Sequence, residues 1–86
     1  NGDELRLSPK GVELGPVRHP LDQIRGASAR VLSRGMSIDV PGAPLRLEFT
    51  DRKTREAAME ALAKLLGGRV VRAGKSPWAR IDIQKT

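Results

Sequence analysis

The chain has 86 residues, enough for one domain with a modest core. It carries a net charge of +6, from 16 Lys and Arg against 10 Asp and Glu, and it has no cysteine. The missing thiols exclude disulfides, thiolate zinc sites and cysteine nucleophiles, and no apolar run is long enough to span a membrane as a helix.

Residues 3–15 read as a hairpin. Leu5 and Leu7 alternate with Arg6, Val12 and Leu14 alternate with Glu13, and Pro9 and Gly11 supply turn chemistry between them. Residues 20–34 carry Leu21, Ile24, Val31 and Leu32 at helical spacing, with Pro20 suited to a first helical position and Gly35 to a stop. Gly26, Ser28 and Ser33 are mediocre helix formers, and a rival reading makes 28–33 a strand; the helix is the favoured expectation.

Residues 36–50 form the clearest hairpin, Ile38 and Val40 facing one way with Leu45, Leu47 and Phe49, across a Pro41-Gly42-Ala43-Pro44 connection. Arg46 and Glu48 fall on the opposite face. Residues 51–66 are a helix capped by Thr50 or Asp51, with Met59, Leu62 and Leu66 on its apolar stripe and Gly67-Gly68 at its end. Arg52, Lys53 and Arg55 crowd its first turn against the helix dipole, and Glu56 and Glu60 are spaced to pair with Arg52 and Lys64. Residues 69–84 read as a last β-pair, Val70 and Val71 opposite Ile81 and Ile83, with Trp78 just after a Gly74-Lys75-Ser76-Pro77 turn.

The expected fold is therefore a single α+β domain over 1–86: a small two-layer sandwich, mostly antiparallel sheet with two helices, in the order ββ-α-ββ-α-ββ. Its expected core is Leu5, Leu7, Val12, Leu14, Ile24, Val31, Ile38, Val40, Leu45, Leu47, Phe49, Met59, Leu62, Leu66, Val70, Ile81 and Ile83. The chain begins at Asn1 without Met, consistent with a fragment of a longer protein. The compartment stays open, with a cytoplasmic setting favoured.

Catalytic chemistry is thin. His19 is the one histidine, no second ligand or base accompanies it, and no phosphate-binding glycine motif is present. No enzyme activity and no cofactor are expected. Binding has more to rest on. Arg69, Arg72, Lys75 and Arg80 lie along the last hairpin with Trp78, a combination that tracks phosphates and stacks a base. Arg25 and Arg30 add positive charge beside the first predicted helix. These seven residues are the candidate nucleic-acid site, RNA more than DNA. The competing expectation is a protein-interaction domain of a larger assembly, with an acidic protein as partner and contact through a sheet edge or the Trp78 region. For Trp78 itself, a lid over the core is the favoured placement.

Three partial resemblances stand beside these readings, the second and third of them bearing on the protein-interaction alternative. Residues 4–34, from Glu4-Leu5-Arg6-Leu7-Ser8-Pro9 to Leu32-Ser33-Arg34-Gly35, resemble the ribosome-binding carboxy-terminal domain of bacterial initiation factor 3. Residues 4–66 resemble a bacterial pleckstrin-homology or GRAM-type domain, with Leu21-Asp22-Gln23-Ile24 starting a strand and Leu45 to Leu66 as last strand and closing helix. Residues 17–84 resemble the small periplasmic domains that precede secretins, in element order and hydrophobic pattern. No site residue is carried over from any of the three.

Overall fold

The computed structural model describes residues 5–72 and 74–83. Three short strands come first: β1 (Leu5–Ser8), β2 (Gly11–Leu14) and β3 (Val17–His19). A single 3-10 turn at Leu21–Gln23 leads into β4 (Gly26–Arg30), β5 (Gly35–Asp39) and β6 (Leu45–Glu48). The helix α1 (Arg52–Leu65) follows, and β7 (Gly68–Arg72) and β8 (Trp78–Ile83) close the fold. Asp3, Glu4, Ala73 and Gln84, which the hairpin readings include, lie outside the described residues.

The strands form two antiparallel sheets. One is three-stranded in the order β1-β2-β3; the other is five-stranded in the order β6-β5-β4-β8-β7. The larger sheet turns Ala27 and Ala29 of β4, Met36 and Ile38 of β5, and Ala79 and Ile81 of β8 inward, to a core completed by Met59, Leu62 and Ala63 of α1. Val12 of β2 is fully buried in the same cluster, so the small sheet packs on the helix side. Period-two alternation then leaves the other face of the large sheet to solvent.

This corrects the expected fold class. Among the described residues there are eight strands in two sheets and one α-helix, where a two-helix ββ-α-ββ-α-ββ sandwich was expected. The difference lies in residues 20–34. Pro20 precedes a single 3-10 turn that ends at Ile24, and Gly26–Arg30 is the central strand. Its pattern is small rather than helical: Ala27 and Ala29 face in, Gly26, Ser28 and Arg30 face out. Gly35 opens β5 instead of ending a helix. Val31, expected in the core, sits half-buried in the β4–β5 turn, and its N–H extends the ladder to the Pro77 carbonyl at 2.7 Å.

Helix α1 matches its sequence signature closely. Asp51 is its N-cap and accepts from the Thr54 N–H at 2.7 Å, which satisfies one free donor of the first turn. Gly67, at φ +74°, ends the helix in the left-handed region, where glycine escapes the Cβ clash. Glu56 pairs with Arg72 of β7 at 3.2 Å, across to the sheet, and not with Arg52 as its spacing suggested.

One helix residue departs from expectation. Arg55 is only 1% exposed, the largest fully buried side chain among the described residues. Its Nη2 donates to the carbonyls of Arg30 (3.2 Å) and Val31 (3.0 Å), and its Nε to that of Ser33 (3.3 Å). The guanidinium thus donates to the carbonyls of the β4–β5 turn from the buried side.

Candidate nucleic-acid interface

The outward face of the five-stranded sheet carries most of the candidate residues. Cross-strand register fixes their neighbours. Ser28 of β4 lies opposite both Ser37 of β5 and Arg80 of β8, and Ser37 lies opposite Arg46 of β6. One row therefore reads Arg46, Ser37, Ser28, Arg80 across four strands. Arg30 and Trp78 are partners in the next row.

Trp78 is 47% exposed and is no lid over the core. Its strand alternates Trp78, Arg80 and Asp82 outward with Ala79 and Ile81 inward, so its ring belongs to the open face. The Arg30 guanidinium lies 5.8 Å from the ring centroid, within cation–π range. Behind this pair, the Trp78 N–H donates to the Ser76 hydroxyl at 3.2 Å, which fixes the start of β8.

The seven candidates do not all converge. Arg30, Trp78 and Arg80 share the open face. Arg69 of β7 faces the same way, directly opposite Asp82, so its charge meets a carboxylate in register. Arg72 is opposite the buried Ala79, and its side chain reaches Glu56 of the helix, on the covered side. Lys75 sits in the β7–β8 turn, exposed. Arg25 precedes β4 and shares the alternation of Ala27 and Ala29, at the far end of the strand from Arg30.

Arg46 is the residue the sequence reading missed as a site member. Its outward phase in β6 was legible; its placement in one row with Arg80 was not, because that depends on strand order. Among the described residues no carboxylate pairs with Arg30, Arg46 or Arg80, whereas Arg18, Arg34 and Arg72 are paired with Glu13, Glu48 and Glu56. Arg30, Arg46 and Arg80 are thus three arginines on the open sheet face whose charge is available to a ligand.

Other chemistries have less to build on. His19 lies in β3 opposite Val12, with a buried Nε2 that has no hydrogen-bond partner. Among the described residues no group of three His, Asp or Glu side chains is arranged to hold a metal, and no helix is long and apolar enough to cross a membrane. No protein family, curated protein or solved structure matches the chain.

Proposed function

We propose that this protein is a non-enzymatic nucleic-acid-binding module that takes single-stranded RNA on the open face of its large sheet. The observation that carries the reading is the Arg30–Trp78 pair, half exposed on an uncovered sheet face and flanked there by unpaired Arg80 and Arg46. A half-exposed indole offers a stacking surface to any base, and a nearby guanidinium adds to it. Arginines beside it supply bidentate phosphate contacts. Ser28 and Ser37 place hydroxyls between those arginines, where they can meet a 2′-OH or a base edge.

The test is Trp78 fluorescence during titration with mixed single-stranded RNA at low and at moderate salt. The chain has a single tryptophan, so the signal reports this face alone. Saturable quenching that weakens steeply with salt is expected; three phosphate contacts give a slope of log affinity on log salt of about −2. No quenching at either salt would overturn the reading and turn attention to a protein partner, for which β6, an open edge of the large sheet, is the first surface to probe.

A further inference from the structure

The charges of the open face are ordered in rows that run across the strands. The middle row is Arg46, Ser37, Ser28 and Arg80. Two residues along on one side are Arg30 and Trp78, with Glu48, paired to Arg34, at the β6 end of that row. Two residues along on the other side are Asp39 of β5 and Asp82 of β8, both exposed, with Arg69 of β7 opposite Asp82 at the end of the row. Same-face neighbours on a strand are about 7 Å apart, so the two aspartates lie within one Debye length, about 8 Å at physiological ionic strength, of the middle row.

This order distinguishes two paths for a polyanion. A strand laid parallel to the β-strands would pass from Arg80 over Asp82 along β8, from Arg46 over Glu48 along β6, or meet a single arginine, Arg30, along β4. A strand laid across them meets arginine at both ends and passes the carboxylates of Asp39, Asp82 and Glu48 only along its flanks. On the open-face reading above, we infer that the RNA crosses the β-strands from Arg80 to Arg46, with a base over Trp78 and with Asp39 and Asp82 bounding the phosphate path on one side.

The same geometry bounds the footprint. From β8 to β6 is three strand spacings, about 14 Å. A stacked strand advances about 3.4 Å per nucleotide, so about four nucleotides cover the distance, and fewer if the strand is splayed. The site is therefore short and suits a single strand; Ser28 and Ser37 lie at its middle.

The experiment is a Trp78 fluorescence titration of the full chain with oligouridylates of one to eight nucleotides at low salt. It compares the wild type, Arg46→Gln, and the double variant Asp39→Asn with Asp82→Asn. All three positions are exposed, and circular dichroism verifies that each variant is folded. Affinity is expected to rise steeply up to about four nucleotides and then only with the number of available registers. Arg46→Gln is expected to lower tetranucleotide affinity several-fold, and the double asparagine variant to raise it several-fold. Oligonucleotides that bind with neither variant altering affinity would overturn the crossing path and leave the open-face reading standing. Failure of every length to bind would overturn both.

Discussion

The backbone carbonyl of Arg30 accepts a hydrogen bond from Nη2 of Arg55 at 3.2 Å, across 25 residues of sequence. Above the sheet, the side chain of the same Arg30 lies over Trp78. One residue therefore belongs to the open face by its side chain and to the buried layer by its main chain. Arg55 has two roles in consequence: it fills core volume in phase with Met59 and Leu62, and it closes the hydrogen bonding of the β4–β5 turn.

Removing Arg55 should be among the costliest changes to stability. Arg55→Ala loses packing and removes the side-chain donors from the Val31 and Ser33 carbonyls, the Arg30 carbonyl keeping the Ser33 N–H, and is expected to lower the unfolding free energy by about 3 kcal/mol. Arg55→Met keeps most of the volume but not the donors, so it should fall between alanine and wild type. Urea denaturation followed by far-ultraviolet circular dichroism measures the order; equal stability of the methionine variant and wild type would show the three hydrogen bonds to be energetically neutral.

The two glycines after α1 differ in what they tolerate. A Cβ on Gly68 would stand 2.1 Å from the Asp82 carbonyl oxygen, backbone that is fixed by the β7–β8 ladder. Gly67 has open space around the same position, and only its φ of +74° resists a side chain. Gly67→Ala should cost about 1 kcal/mol, the strain of the left-handed region. Gly68→Ala should cost at least about 2 kcal/mol, because β7 must shift to relieve the clash. Thermal unfolding of the two variants side by side tests the difference.

The cap on α1 predicts an acid-sensitive contribution. The Thr54 N–H and hydroxyl bonds to the Asp51 carboxylate hold its pKa below the ordinary 3.8, against a weaker opposing effect of desolvation. A carboxylate whose pKa is depressed on folding stabilises the folded state above its unfolded pKa and loses that contribution as pH falls through its folded pKa. Asp51→Ala should therefore lower the melting temperature at neutral pH, with the difference from wild type shrinking below about pH 4. A difference that stayed constant down to about pH 2 would mean that the carboxylate charge plays no part in the cap.

Arginines of one hairpin should separate by function. Arg72 is drawn to Glu56 on the helix side, and Arg80 stands on the open face. Arg80→Gln is expected to weaken RNA binding several-fold and to flatten its salt dependence by about 0.7 in slope. Arg72→Gln should leave both unchanged and, as the loss of an exposed pair, alter stability by less than about 1 kcal/mol. Equal losses in the two variants would contradict the sheet-face assignment.

How much of this was legible in the sequence depends on the element. Helix α1 was, because its cap, stripe and glycine stop agree with one another. The β5–β6 hairpin was, because Ile38, Val40, Leu45 and Leu47 keep strict alternation. Strand β4 was not: alanines, glycine and serine carry almost no hydrophobic contrast, and Ile24, Val31 and Leu32 beside them imitate a helical period. Strand β3 is three residues long, its Val17 and His19 each next to a proline. The burial of Arg55 left a trace in its spacing, four before Met59 and seven before Leu62, which places a charged residue on the apolar stripe. For the site, residue types and face were readable on β8, but the convergence of Arg46 with Arg80 follows from β4 entering between β5 and β8, which no local pattern encodes.

That insertion also governs how the molecule comes together. Ser28 meets Arg80, and Ala29 meets Ala79, across some fifty residues of chain. The β5–β6 and β7–β8 hairpins and α1 are local and can form early, whereas the seam that joins the two halves of the sheet must close a long loop first. Until that seam closes, β4 and β8 each expose an unpaired edge and Trp78 has no Arg30 beside it. Trp78 emission should therefore follow the late, rate-limiting step of refolding, and the ligand surface should exist only once that step is complete.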